Sequence, residues 1–307
     1  MNTDDFKFLV DRIKDRSGIV LSADKGYLIE SRLVPVAQRN GMTTVEDLVK
    51  KMRAAPNAAL MEEVTEAMTT NESFFFRDKT PFDFLKDYIV PQFLQSRGSN
   101  KRLNIWCAAA STGQEPYSIA MVLKEMNAKM PGWSYKILGT DLSNDVLEKA
   151  KAGAYSQFEV QRGLPINLLV KYFKQNGETW MIDPAIRAMV EYKYFNLLES
   201  FAPLGKFDVI YLRNVLIYFD RETKKSILER AAQLLAPDGY IILGAAETVI
   251  GITDALRPLK THRGLYERSS AAAGAGLAGK ATPALAGAAS GRPSPVLKTS
   301  GTVTGRR

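Results

Sequence analysis

From residue 4 to about residue 70 the apolar positions recur with a helical period. Phe6, Leu9, Val10 and Ile13 fall at i, i+3, i+4 and i+7, and Gly18 follows as a stop. Val45, Leu48, Val49 and Met52 repeat the pattern behind a Thr44 N-cap, with Glu46 and Asp47 in the first turn and Lys50, Lys51 and Arg53 in the last. Leu60, Met61, Val64 and Met68 make a further helix, so this part of the chain reads as a small helical bundle. Between these helices Lys25, Arg32 and Arg39 recur every seven residues, which sets them along one flank of a second helix kinked at Pro35. Such a row is either a solvated charged face or a docking stripe for an acidic partner.

Beyond residue 79 the period changes. Thr80 and Pro81 read as N-cap and first residue of a helix carrying Phe82, Leu85 and Ile89, ended or bent at Pro91. Short apolar runs bounded by turn residues then alternate with helical stretches: strands at Leu103–Cys107, Tyr135–Asp141, Val190–Phe195 and Phe207–Leu212, with helices after Gly113, after Ser143 and over Arg221–Leu235. A Pro237-Asp238-Gly239 turn leads into the strand YIILG, and GLYER closes the series. Residues 153–189 interrupt the alternation with KYFKQNGETWMI, a hairpin of type I′ turning on Asn176-Gly177. The predicted fold is α/β: a helical domain over 1–78, a linker helix and loop over 79–102, and a doubly wound, mainly parallel sheet over 103–268 with a small antiparallel β-subdomain inserted at about 153–189. From 269 to 307 the composition turns to Ala, Gly, Pro, Ser and Thr, and a disordered tail is expected.

Composition narrows the chemistry. No apolar run approaches the ~20 residues of a membrane span and the acidic N-terminal helix is unlike a signal peptide, so a cytoplasmic protein without membrane insertion is expected. Cys107 is the single cysteine and His262 the single histidine, which excludes a disulfide, a cysteine zinc cluster and a histidine metal triad; no metal site is predicted. Cys107 reads as a small core residue, and His262 as structural or exposed. The net charge of +8 suggests a nucleic-acid partner until its location is considered: five of the basic residues lie in the tail, where there is no acid. The folded part is only mildly basic, and no nucleic-acid partner is predicted.

Three places carry candidate ligand chemistry. LNIWCAAASTGQEPYSIAM, Leu103 to Met121, runs from a strand through small residues into a helix N-terminus, where a ligand can lie against backbone and free N–H donors. Asp141 ends the next strand, 28 residues beyond Gly113, placed to take the two hydroxyls of a ribose. YLRNVLIYFD, Tyr211 to Asp220, brings Arg213, Asn214 and Tyr218 to the carboxyl edge of the sheet. Upstream, TTNESFFFRD carries Phe74, Phe75 and Phe76 in succession, and at least one of them is expected to meet a ligand or a second domain, with Arg77 beside them.

NESFFFRD, CAAASTGQEPYS, TDLS, the NLL of Asn196–Leu198 and RNVLIYF together resemble the CheR-type chemotaxis receptor methyltransferases, over about residues 1–268. The resemblance implies methyl transfer from S-adenosylmethionine to glutamate side chains on the cytoplasmic helical region of chemoreceptors, leaving S-adenosylhomocysteine. It implies that Asn71, Ser73, Arg77, Glu115, Asp141, Asn196, Leu197, Arg213 and Asn214 contact the cofactor, and that Arg77 and Tyr218 face the methyl donor and the incoming carboxylate. Ser73 stands where many relatives have threonine, which keeps the hydroxyl. A glutamate with a pKa of ~4.3 is already an anion at neutral pH, so the reaction needs no general base and the scarcity of His and Cys costs nothing.

In one respect the chain departs from the family's pattern. Members that tether to a C-terminal receptor pentapeptide do so on the hairpin subdomain beside a longer glycine-bearing loop, whereas here the hairpin is tight. Pentapeptide binding is therefore not expected, and docking through the helical domain is. A dehydrogenase is excluded by the absence of G-x-G-x-x-G after any strand, and an amine methyltransferase of nucleic acid by the absence of Asn-Pro-Pro. The remaining alternative is a signalling protein of the same fold that binds S-adenosylmethionine without turnover or acts on another target.

Overall fold

The computed structural model describes residues 1–98 and 100–269; the tail expected to be disordered lies outside the described residues from 270 onward. Helices Thr3–Ser17, Gly26–Arg39, Val45–Ala54 and Ala58–Met68 pack around Leu9, Ile13, Leu48 and Val64, from the stripes anticipated by their spacing, and Leu33 and Val36 of the second helix. Asn2, Thr44 and Asn57 each accept an N–H from the third residue on, so three of the four helices begin on a side-chain cap. Pro35 stays inside the second helix.

The remaining described residues supply strands β1 (Arg102–Ala108), β2 (Ser134–Asp141), β3 (Ala154–Ser156), β4 (Phe173–Asn176), β5 (Thr179–Ile182), β6 (Val190–Tyr194), β7 (Phe207–Leu212), β8 (Leu235–Leu243), β9 (Leu256–Pro258) and β10 (Leu265–Arg268). Seven of them form one sheet in the order β6-β2-β1-β7-β8-β10-β9, with β6 through β8 parallel and β10 antiparallel to both neighbours. All six residues of β7 are buried, as both faces of a central parallel strand must be. The crossover from the β6-β2-β1 half to the β7-β8 half leaves a crevice at the carboxyl edge, the usual ligand position in open α/β sheets. β3, β5 and β4 make the small antiparallel subdomain.

Four local expectations change. The hairpin turn is Gly177-Glu178, because Asn176 pairs with Thr179; only Gly177 takes a positive φ, the type II′ pattern rather than I′. The Pro237-Asp238-Gly239 stretch lies within β8 as a bulge, since Phe207 pairs with Leu235 and Val209 with Tyr240. The helix from Thr80 is not stopped by Pro91: a π-helical segment, Phe84–Ile89, precedes Val90–Ser96 and accommodates the missing N–H. Its Phe82, Leu85, Ile89 and Phe93 enter the same core as Leu103 and Ile105, so the stretch read as a linker is built into the sheet domain.

The three phenylalanines also divide differently. Positive φ angles at Phe76, Asp78 and Lys79 curl the loop, so consecutive side chains leave in separate directions. Phe75 is fully buried, edge-on to Tyr155 at 5.0 Å and to Phe173 at 5.5 Å. Phe76 packs on Phe82, and Phe74 lies under the guanidiniums of Arg77 and Arg162. None lines the crevice, so the triplet ties the interdomain loop to the inserted subdomain instead of meeting a ligand there. Phe75→Leu removes both ring contacts and is expected to cost about 1–2 kcal/mol of stability, read as a lowered urea midpoint.

Candidate active site

The crevice is bounded by the residues that follow four parallel strands. Ala109 and Ser111 follow β1, Asp141 and Leu142 end β2, Phe195, Asn196 and Leu197 follow β6, and Arg213, Asn214, Val215 and Tyr218 follow β7. Thr69 to Ser73 and Arg77 close one side from the interdomain loop, and Ser17 and Ile19 cover it from the helical domain. The empty space between these residues, with the open mouth counted in, is about 920 Å³. All ten residues singled out in the sequence, from Asn71 to Tyr218, line this one crevice.

Asp141 is the best-defined polar group. It is buried, Oδ2 accepts the Ser111 N–H at 2.8 Å and Oδ1 that of Ser143 at 3.1 Å. Leu142 supplies a further backbone contact, and the carboxylate keeps acceptor capacity for a ligand hydroxyl. Burial pushes the carboxyl above its ordinary pKa, against the pull of those N–H donors. Gly113, which opens the following helix, has φ +94°, and a Cβ there would stand 2.7 Å from the Tyr192 hydroxyl, so only glycine lets the turn lie this close to β6.

Deeper in the cleft, the Arg213 side chain is almost wholly buried. It pairs with Glu115, donates to Asp78 Oδ2 at 2.8 Å and to the Arg77 carbonyl at 2.9 Å. Burial raises the Glu115 carboxyl while the Arg213 guanidinium opposes the rise. Arg213 thus fixes the interdomain loop and Glu115 together. Arg77 itself is half-buried and donates to the Glu72 carbonyl at 3.0 Å.

Asn196 is committed within the protein: Nδ2 donates to the Arg16 carbonyl at 2.7 Å and Oδ1 accepts the Leu198 N–H at 3.0 Å. It joins the helical domain to the cleft floor. Val20 N–H bonds the Tyr218 carbonyl at 2.9 Å, and Lys14 pairs with Asp220 at 2.8 Å, so the helical domain caps the cleft at several points. Arg32 also serves the junction, donating to the carbonyls of Met68 and Thr69, while Arg39 pairs with Glu63; two members of the basic row are therefore occupied within the domain.

Asp220 accepts the Thr223 N–H as a helix cap, and Lys14 with that N–H holds its carboxyl well below the usual carboxylate range. A depressed folded-state pKa contributes stability above the unfolded value, ~3.9, and the contribution is lost as pH falls toward the folded value. Asp220→Asn should accordingly lower the urea midpoint at about pH 5 more than at about pH 3, where the wild-type carboxyl's advantage is already reduced.

The backbone around the crevice is strained. Among the described residues six non-glycine residues have positive φ: Phe76, Asp78, Lys79, Ala109, Ser111 and Asn214, all within three of the loops around the site. Each costs of order 1–3 kcal/mol and persists only where surrounding contacts hold it. Sequence inspection missed Ser111, whose Oγ donates to the Asn71 carbonyl at 2.7 Å, and Asp78; the run of small residues was the only local signal for Ser111.

A doubly wound sheet with an acid at the end of its second strand and a cleft at the topological switch point is the arrangement of a nucleotide- or nucleoside-binding α/β domain. Comparison with known families gives the particular kind: residues 4–69 match the CheR methyltransferase all-alpha domain and residues 71–265 the CheR methyltransferase SAM binding domain, and the chain belongs to the CheR methyltransferase family. It is similar to chemotaxis protein methyltransferase Cher2 of Pseudomonas putida, 42% identical over 252 residues covering 81% of this chain and 91% of that protein. Chemotaxis protein methyltransferase 1 of Pseudomonas aeruginosa is 40% identical over 269 residues, 86% of this chain and 97% of its own length. The chemotaxis protein methyltransferase of Vibrio parahaemolyticus is 38% identical over 257 residues, 82% and 92% of the two chains. The protein is thus an S-adenosylmethionine-dependent methyltransferase of the chemotaxis type. No helix among the described residues is long and apolar enough to cross a membrane.

Proposed function

We propose that the protein methylates glutamate side chains of chemoreceptors, giving γ-glutamyl methyl esters. The observation that supports this most is the convergence of ten residues from the interdomain loop and four strand ends on one crevice, with Asp141 at its inner wall and Arg77 and Tyr218 also among its lining. The remaining acceptor capacity of the buried Asp141 carboxylate suits the ribose of S-adenosylmethionine. When bound, that donor supplies an electrophilic methyl group on a cationic sulfur.

The acceptor glutamate arrives ionised, so no side chain has to remove a proton. Arg77 orients it, and alignment of this kind accounts for several kcal/mol of a barrier. Arg77 is only half-buried, so its pairing with the carboxylate is partly screened and does not extinguish the nucleophile.

Docking is assigned to the helical domain without the pentapeptide. The row of three basic residues is narrower than its spacing suggested, since Arg32 is engaged at the domain junction, while Arg39 beside Glu63 and Lys25 beside Asp24 both remain at the surface. The hairpin loop of two residues gives the pentapeptide little to grip. Titration with S-adenosylhomocysteine and with the pentapeptide separates the two parts of this reading: heat with the first and none with the second is expected. Micromolar pentapeptide binding would overturn the docking mode, and no binding of S-adenosylhomocysteine the cofactor site.

A further inference from the structure

The segment that carries Asn214 and Tyr218 into the cleft has little regular structure to hold it. It leaves β7 at Leu212, places Asn214 at φ +56°, and makes only a three-residue 3₁₀ turn, Leu216–Tyr218. Three successive N–H groups, those of residues 214, 215 and 216, point into a concavity of the kind that binds anions. A carboxylate of the chain fills it. Glu247, from the loop after β8, accepts Asn214 N–H at 2.8 Å and Gly244 N–H at 2.8 Å on Oε2, and Val215 N–H at 2.9 Å and Leu216 N–H at 2.7 Å on Oε1. Glu247 is buried, and a Cβ on Gly244 would lie 2.7 Å from its Oε2 and 2.9 Å from Asn214 Nδ2. Four donors on two oxygens saturate the carboxylate, leaving it no lone pair for a ligand.

We propose that Glu247 is a positioning residue for methyl transfer: by gathering these four N–H groups it holds the strained Asn214 turn, and with it the Asn214 and Tyr218 side chains, in their cleft positions before any ligand arrives. It touches no substrate and acts through the segment it holds. The inference rests on the methyltransferase reading, and binding of S-adenosylhomocysteine by the wild type is its control.

Glu247→Gln keeps the size but turns an NH₂ group toward two of the N–H donors, so the segment is released. The expected result is a folded variant with S-adenosylhomocysteine affinity at least tenfold weaker and turnover lowered, while the KM for receptor stays within twofold. A variant that loses thermal stability yet keeps wild-type affinity and turnover would overturn the proposal and leave Glu247 a structural clip. If the variant does not fold, amide exchange of the wild type decides: residues 214–216 should exchange slowly without ligand, and fast exchange slowed only by S-adenosylhomocysteine would overturn it. Absence of binding by the wild type would instead refute the cofactor site itself.

Discussion

Asp141→Ala is expected to weaken S-adenosylhomocysteine binding by at least ~100-fold. In the proposed binding mode the ribose hydroxyls donate to this buried carboxylate, each such bond contributing about 1.5–3 kcal/mol, and the variant removes them. Asp141 also holds the Ser111 N–H, so part of any loss could come from loosening that turn. A ligand cycle separates the two effects. The affinity gap between S-adenosylhomocysteine and its 2′,3′-dideoxy analogue should be wide for the wild type and closed for the variant. An equal gap in both proteins would remove Asp141 from the ribose. Because burial raises this carboxyl, affinity should fall on acidification at a higher pH than an exposed aspartate would give.

The second large effect is expected at Arg77. Its carbonyl receives Arg213, an interaction that substitution leaves in place, whereas its guanidinium holds only the Glu72 carbonyl and the face of Phe74. Arg77→Ala should therefore change stability by less than about 1 kcal/mol while lowering turnover about 100-fold through misplacement of the acceptor. Affinity for S-adenosylhomocysteine measured beside turnover shows whether the loss lies in the donor or the acceptor. Methylation near the wild-type rate would contradict the orienting role.

The location of the cleft was legible because parallel strands all end at one edge. Finding the strand ends in the sequence therefore brings Asp141, Arg213, Asn214 and Tyr218 to that edge, and the resemblance to the family's motifs added Asn196. The features that were not legible depend on partners distant in sequence. Glu247 lies 33 residues from Asn214 and nothing local marks it as the acceptor for that turn. Arg32 and Arg39 share a helical flank, but their fates are set by the carbonyls of Met68 and Thr69 and by Glu63. The three phenylalanines follow a backbone curl at Phe76 to Lys79 that no propensity predicts, and the hairpin turned one residue later than its Asn-Gly pair suggested because pairing of Asn176 with Thr179 fixes the register. Asn196 was found through the matching motif, while its hydrogen bond to the helical domain emerged only from the fold.

Transfer of a labelled methyl group from S-adenosylmethionine to chemoreceptor membranes, followed by peptide mass spectrometry, tests the central claim most directly. Base-labile label on glutamate side chains of the receptor's cytoplasmic helices, absent with Asp141→Ala, is the predicted result. Label that resists base, label on other residue types, or no transfer by protein that binds S-adenosylhomocysteine would contradict it.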